Sequence, residues 1–221
     1  MLKTILILFS FLFYTSFSAQ YKVVLAEKSV KFNDGDFNSF SVTIYELPLK
    51  GVEKLWKKVM KDMKANVSSK KNEMKGDDAH VKSMGENTFD IYSKALKNDK
   101  GVEMSIAFDL GGAFLSSSQH SEKAKEMKKI IYDFAVNATK EGIRGILKEE
   151  EKKQSDLEKQ QADLIKQKEK LENDIANWKK DIENAKNNIQ NNLKNQEEKK
   201  KAIDEQKKVV DVVKEKEKSV K

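Results

Sequence analysis

The sequence predicts an α+β protein: a small antiparallel sheet with two helices, in the order ββαβββα, followed by a long C-terminal coiled-coil helix. Two observations carry this prediction. Short segments of alternating apolar and polar residues, separated by turn residues, recur through the first two thirds of the chain, and this alternation is typical of strands with one buried face. The last third, from Gln154 to Val213, repeats apolar residues three and four positions apart without a proline or glycine, as coiled coils do.

Length and composition restrict the possible classes of protein. With 221 residues, the chain has room for one ordinary domain plus an extended element. The net charge of +7 comes mostly from lysine, and Arg144 is the single arginine, so we expect no nucleic-acid partner. The chain has no cysteine, which excludes disulfides, thiolate catalysis and the lipid-bearing cysteine of a bacterial lipoprotein.

The first residues, 1–19, predict a cleaved signal peptide. Lys3 precedes an apolar run from Ile5 to Tyr14, and small residues follow up to Ala19. An uncleaved anchor is the alternative, but crossing a bilayer takes about 20 apolar residues and this run is shorter. We therefore expect an exported protein, periplasmic or extracellular, with an α+β domain at 20–148 and a coiled-coil helix at 149–221.

The first part of the predicted domain is a hairpin followed by a helix. Strand-like segments at Tyr21–Phe32 and Phe37–Leu47 flank the turn residues Asn33–Asp36. Pro48 and Gly51 precede apolar residues at helical spacing, opposite a row of lysines: Val52, Leu55, Trp56, Val59, Met60, Met63 and Val67. We expect this helix to pack on the sheet with Trp56 buried, which leaves at most a weak, salt-sensitive contact with a membrane surface. A helix lying in a membrane interface is the alternative.

Three further strands are predicted at Ala79–Met84, Thr88–Leu96 and Gly101–Leu110. The strict alternation of the last one predicts a sheet covered on one face only. Ser121, as N-cap, begins a helix that is expected to bury the following residues: Met127, Ile130, Ile131, Phe134, Ala138 and Ile146. Glycines at 142 and 145 predict close backbone packing or a bend, and no loop signal separates this helix from Gln154.

Candidate chemical sites are weak. Asp77, Asp78 and His80 lack the further ligands of a recognisable metal site. His120 lies near several serines, but the Gly-x-Ser-x-Gly elbow of many hydrolases is missing, so we expect these serines to cap a helix. We predict no catalytic residue, no metal ligand and no cofactor.

The glycine pair that follows the last predicted strand is more distinctive. Gly111 and Gly112 could leave backbone N–H groups free for an anion, but no Gly-Lys-Ser/Thr follows, so this is not a phosphate loop. We expect a turn that lets Phe114 and Leu115 reach the core. A ligand or partner loop formed by Gly111, Gly112 and Phe114 is the alternative.

The seam of the predicted coiled coil follows one heptad register. Its d positions are Leu157, Leu164, Leu171, Trp178 and Ala185, and its a positions are Ile175, Ile182, Ile189, Ile203 and Val210. In a parallel dimer this register places Asp174 opposite Lys179 and Asp181 opposite Lys186, so we expect a homodimer. Polar residues weaken the core at Gln154, Gln161, Lys168, Asn192 and Gln196. A helical hairpin that turns within Asn184–Asn195 is the alternative.

Three segments resemble other proteins. The run Phe108–Ser117, the Ser-Ala-Gln that ends the leader and the run Gln206–Val210 look like uncharacterised exported proteins of Bacteroidetes. The resemblance implies a Gram-negative envelope setting and carries no catalytic residue. We therefore expect a non-enzymatic envelope or extracellular interaction protein that acts through its coiled coil on an unknown protein partner. A domain that binds a small ligand or has an unrecognised enzymatic activity, with the coiled coil as oligomerisation module, is the alternative.

Overall fold

A computed structural model describes residues 21–219, so the predicted signal peptide at 1–19 lies outside the described residues. The chain divides into two units between Glu151 and Lys152. The elements, in order, are β1 (Leu25–Phe32), β2 (Gly35–Ile44), α1 (Leu49–Asp62), β3 (Asn66–Lys70), β4 (Glu73–Ala79), β5 (Phe89–Asn98), β6 (Gly101–Asp109) and α2 (Ser121–Ser219).

The strands form one six-stranded antiparallel sheet in the order β1-β2-β6-β5-β4-β3. Consecutive strands pair with each other except β2 and β3, which α1 separates. The pairing of β2 with β6, with Phe40 opposite Ile106, joins the N-terminal hairpin to the rest of the sheet. The predicted class, an α+β protein with an antiparallel sheet and a long C-terminal helix, is confirmed.

The first hairpin has the predicted turn. Phe32 pairs with Gly35, so Asn33 and Asp34 alone connect the strands. The β5–β6 turn is equally tight and ends at Gly101, which has a φ of +147°. A Cβ at Gly101 would lie 2.3 Å from the carbonyl oxygen of Ile44, so only glycine fits this position.

Helix α1 ends earlier than the sequence predicted. Lys64 adopts a left-handed conformation with φ 63°, its N–H donates to the Lys61 carbonyl at 2.8 Å, and the N–H of Ala65 donates to the Met60 carbonyl at 3.0 Å. These two bonds form a Schellman motif, which terminates a helix. The prediction that Val67 continues the apolar helix face is therefore wrong, because Val67 lies in β3.

The region after α1 also corrects the prediction. Two strands, β3 and β4, occupy residues that were predicted as a polar connection, so the sheet has six strands where five were predicted. The predicted strand at Ala79–Met84 is wrong, because Ala79 is the last residue of β4 and Lys82–Met84 form a 3₁₀ turn. The pairing of β4 with β5 shifts register between Gly76 and Ala79, where Asp78 has a φ of 55°.

One face of the sheet carries a core shared with α1 and the first part of α2. Trp56 is fully buried, as predicted, and so are Met127, Ile131, Phe134 and Ala138 of α2. Ile146 is 43% exposed, so its predicted burial is wrong. The core is rich in methionine, with the following thioethers all buried: Met60, Met63, Met74, Met84, Met104 and Met127.

Gly142 of α2 explains how closely the helix packs. A Cβ there would lie 2.4 Å from the carbonyl carbon of Glu46, whereas a Cβ on Gly145 would meet no atom within 4 Å. Of the two predicted alternatives, close packing therefore holds at Gly142, because the bare backbone of the helix touches the segment that follows β2.

The second face of the sheet is not bare. Phe37 of β2 stacks on Phe114 at 4.2 Å between ring centroids and meets Tyr92 of β5 at 4.9 Å. Phe32 lies beside Phe37 at 5.3 Å and is buried. This group of aromatic rings covers the middle of a face that the alternation pattern had predicted to be open to solvent.

Candidate interaction surfaces

Helix α2 runs without interruption from Ser121 to Ser219. The asparagine-rich stretch from Asn184 to Asn195 is helical throughout, so the hairpin alternative is wrong. Ser121, predicted as N-cap, is the first helical residue, and the N–H of Ala124 donates to the carbonyl of His120 at 2.8 Å.

The predicted seam residues are exposed on the second unit. The large apolar side chains of the seam are 41% to 64% exposed: Leu157, Leu164, Leu171, Ile175, Trp178, Ile182, Ile189, Ile203 and Val210. Ala185 is exposed as well. Full burial of one such large side chain contributes about 1.5–3 kcal/mol. The row is therefore an unusually long exposed apolar surface.

Charged residues flank the seam in the predicted positions. Asp174 and Asp181 at g, and Lys179 and Lys186 at e, form no ion pair within the described chain. Each of them is therefore available to a second helix. Lys168, which occupies a core a position, turns instead to Glu172 at 3.4 Å.

The heptad register extends further toward the N-terminus than Gln154, where the predicted coiled coil begins. Counted back from Leu157, the same register puts Leu147 at a and Ile143 at d, and both side chains are exposed. The sequence analysis did not extend the register to Ile143 and Leu147, because it placed the neighbouring Ile146 in the domain core. Within the first unit, Ile143 and Leu147 thus occupy exposed d and a positions of this register.

The glycine-containing loop after β6 forms a turn. The N–H of Leu110 donates to the Ala113 carbonyl at 3.0 Å, and Gly111 has a φ of +84°. Leu115 then enters the core, and its N–H donates to the Phe108 carbonyl at 2.8 Å. Phe114 points instead to the aromatic group on the second face of the sheet, and Gly111 and Gly112 remain exposed.

A polar cluster fastens this loop to the edge of the sheet. Glu27 of β1 accepts hydrogen bonds from the hydroxyl and the N–H of Ser117, and from the amide of Asn38 at 3.0 Å. Lys128 of α2 donates to Ser117 and lies 3.4 Å from Glu27. Partial burial raises the pKa of Glu27, but the hydrogen bonds from Ser117, Asn38 and Lys128 outweigh it and hold this pKa at about 2. A carboxylate with so low a pKa is a poor general base for the serine. The polar cluster therefore has a structural role and holds the loop before α2 against β1.

The two histidines lie apart from any ligand cluster. The N–H of His80 donates to the Met63 carbonyl, and Asp77 pairs with Lys75 at 2.8 Å. His120 accepts a long bond from the N–H of Ser116, 3.4 Å from its Nδ1. Within residues 21–219, no group of three or more potential ligands among His, Cys, Asp and Glu could hold a metal ion.

A shallow groove lies near the β1–β2 turn. Phe32, Asn33, Glu73 and Tyr92 contribute to its wall, and its volume is about 170 Å³. Sites for drug-sized ligands typically enclose about 300–1,000 Å³.

In the part of the chain that the structure describes, no helix is long and apolar enough to cross a membrane.

No protein-family model matches the chain, and comparisons with curated proteins and with solved structures find no significant match. The interpretation of these surfaces therefore depends on their own geometry and chemistry.

Proposed function

We propose that the protein is a non-enzymatic, exported interaction protein of the cell envelope or extracellular space, which works as a parallel homodimer through α2. One observation carries the proposal: the exposed apolar seam follows a single heptad register along an unbroken helix. A coiled-coil dimer is the assembly that buries such a seam along its whole length.

The residue types of the seam from Leu157 onward favour two parallel strands. From Ile175 to Val210 every large apolar a residue is β-branched, and leucines occupy the d positions at Leu157, Leu164 and Leu171. β-branched residues at a combined with leucine at d favour parallel dimers over trimers and tetramers.

The polar core residues favour an unshifted alignment of the two chains. In a parallel dimer each layer pairs a residue with its own copy, so Asn192 and Gln196 meet polar partners and Ile182 meets isoleucine. A shift by one heptad would place Lys168 against Ile175 and Ile189 against Gln196, which would bury polar groups beside apolar ones. These polar layers reduce affinity and select the register.

Charge complementarity supports the same orientation. In the aligned parallel dimer, Asp174 lies across from Lys179 of the second copy, and Asp181 lies across from Lys186. Each exposed pair contributes about 0.2–1 kcal/mol, so these pairs select the partner more than they strengthen binding. The proposed dimer presents two copies of the α+β domain to an envelope or extracellular protein partner.

Sedimentation velocity of the full chain tests the assembly. The protein concentration should be about ten times the Kd of a dimer of micromolar affinity, that is, on the order of 10 μM. We expect a dimer, and we expect Ile182→Asp to sediment as a monomer because it buries two unpaired carboxylates in a core layer. Val212→Asp is the matched control, since Val212 is an exposed apolar residue at position c, outside the seam. A wild-type chain that sediments as a monomer, or a control that dissociates as readily as Ile182→Asp, would contradict the dimer.

The export part of the proposal rests on the leader-like sequence at 1–19 and on the resemblance to exported Bacteroidetes proteins. Expression in a Gram-negative host followed by cell fractionation and intact-mass measurement tests it. We expect the chain outside the cytoplasm with an N-terminus between Ala19 and Tyr21. A cytoplasmic chain that retains the leader would contradict export and would leave the dimer test unaffected.

A further inference from the structure

Helix α1 and its C-terminal turn carry a continuous row of lysines, here called the lysine stripe: Lys50, Lys54, Lys57, Lys58, Lys61 and Lys64. All six are exposed. At 3.6 residues per turn, the spacing of the first five places them within an arc of roughly 100° on the helix surface, and Lys64 follows in the turn that ends the helix. Val52, Trp56 and Met60 occupy the opposite side and are buried in the core. The packed face therefore fixes the lysine stripe toward solvent.

The lysine stripe is electrostatically unsatisfied. None of its members forms an ion pair in the described part of the chain, whereas Lys28, Lys75 and Lys94 on the sheet all do. Glu53 and Asp62 are the only carboxylates between Lys50 and Lys64. This face thus keeps a net positive charge that only an external anion can neutralise.

The geometry restricts which anion fits. The stripe is straight and extends about 17 Å from Lys50 to Lys61 at about 1.5 Å per residue. Its residues are all lysines, which act as point charges and lack the planar fork with which arginine recognises a single phosphate or a base edge. None of these lysines lines the groove near the β1–β2 turn. A flat layer of many anionic groups matches these properties better than one enclosed ligand.

We infer that the lysine stripe docks the domain on the anionic phospholipid headgroups of a membrane surface. Trp56, the aromatic residue of α1 that would anchor an interfacial helix, is fully buried beside Phe134. The contact is therefore electrostatic and peripheral, with no side chain inserted among the acyl chains. This surface lies on α1, so the inference goes beyond the proposed coiled-coil function and does not depend on it.

The expected strength follows from the number of lysines. Each lysine close to an anionic membrane surface strengthens binding about fivefold, and the effect decays over a Debye length of about 8–10 Å at physiological salt. Neutralising three lysines should therefore weaken binding about a hundredfold at low salt. Zwitterionic vesicles should bind the chain negligibly.

Vesicle co-sedimentation of the full chain tests the inference, with phosphatidylglycerol–phosphatidylcholine vesicles compared with pure phosphatidylcholine. The test variant combines Lys54→Gln, Lys57→Gln and Lys58→Gln. The matched control combines Lys166→Gln, Lys180→Gln and Lys194→Gln, which remove the same charge from exposed f positions of α2. We expect the hundredfold loss in the test variant and less than a threefold change in the control, with circular dichroism confirming that both fold.

Three outcomes would overturn the inference. An equal loss in both triple variants would show that overall charge, and not the lysine stripe, drives binding. Binding that survives about half-molar salt, where the Debye length falls to roughly 4 Å, would require an apolar anchor. A chain that binds heparin or DNA but not anionic vesicles would assign the stripe to a soluble polyanion. Sedimentation reports the oligomeric state of each variant separately, because a dimer would present two lysine stripes to one vesicle.

Discussion

The ring of Phe134 meets the indole of Trp56 edge-on, with ring centroids 4.9 Å apart and ring planes inclined at 62°. Phe134 belongs to α2 and Trp56 to α1, and both are buried, so this pair joins the two helices over the sheet. An edge-to-face pair contributes about 0.5–1.5 kcal/mol beyond the burial of its surface.

Phe134→Ala should therefore lower the free energy of unfolding of the domain by about 3–5 kcal/mol, because it removes this pair and leaves a cavity. Denaturant titration in a Trp178→Phe background, with Trp56 as the single emitter, measures the loss. Tyr132→Ala is the control, since Tyr132 is 46% exposed and should change stability by less than about 0.5 kcal/mol. Equal losses in the two variants would contradict the packing described for Phe134.

The two glycines of α2 should respond in opposite directions to alanine. Gly142→Ala should destabilise the domain by about 1–3 kcal/mol, because the new methyl group overlaps the backbone of Glu46 and Leu47. Gly145→Ala should stabilise it by up to about 1 kcal/mol, because the site is open and alanine has the higher helix propensity. Thermal unfolding of both variants provides the measurement, and stabilisation by Gly142→Ala would show that α2 packs less closely there.

The parallel orientation predicts which single cysteines form a disulfide between two chains. The natural chain has no cysteine, so each variant contains one thiol. Gln206→Cys at a d position should cross-link under mild oxidation, because the two copies of one d residue face each other in a parallel dimer. Lys201→Cys at an f position should stay reduced. An antiparallel dimer places the two 206 positions far apart, so a sedimenting dimer that fails to cross-link would contradict the orientation.

Glu27 should make stability depend on pH only under acidic conditions. Its pKa falls from 4.5 to about 2 on folding, so its contribution is fully present above about pH 4.5 and is lost as the pH falls through 2. After allowance for solvent screening of a side chain that is 25% exposed, the contribution is about 1–2 kcal/mol.

Glu27→Gln should therefore be less stable than the natural chain at pH 6, and the difference should shrink toward zero near pH 2. Denaturant titrations at several pH values measure it. Glu86→Gln, at an exposed position before β5, is the control and should change stability little at any pH. A difference for Glu27→Gln that persists unchanged down to pH 2 would contradict the low pKa.

The elements that could be predicted from the sequence are those whose pattern matches their environment. In β6, Val102, Met104 and Ile106 face a continuous core, so the alternation is strong. Strands β3 and β4 were not predicted because both bury few side chains: β3 lies at the edge of the sheet, and β4 lies between β3 and β5. In β4, only Met74, Gly76 and Ala79 are buried. A glycine in a sequence usually indicates a turn, whereas Gly76 lies within the strand, where an added Cβ would come within 3.0 Å of the Cβ of Ala65.

The polar cluster around Glu27 could not be predicted for a different reason. Glu27 and Ser117 are 90 residues apart in the sequence and meet only after β1, the loop before α2 and α2 itself are assembled. A local repeat in the sequence cannot indicate a contact between two residues so far apart. The seam of α2 is the opposite case, because a heptad repeat relates residues within one helix, and helical geometry alone places them on one face.

Oxidation of the six buried methionines should report opening of the domain core. Each of these thioethers is at most 6% exposed, so hydrogen peroxide has little access to them while the fold is closed. Oxidation to the sulfoxide turns a flexible apolar side chain into a polar one that no longer suits the core. Oxidation of these residues while the domain is open should thus hinder its closing again. In dilute peroxide, where oxidation is slow compared with reclosing, the rate at which peptide masses increase by oxygen would therefore report the fraction of molecules whose core is open.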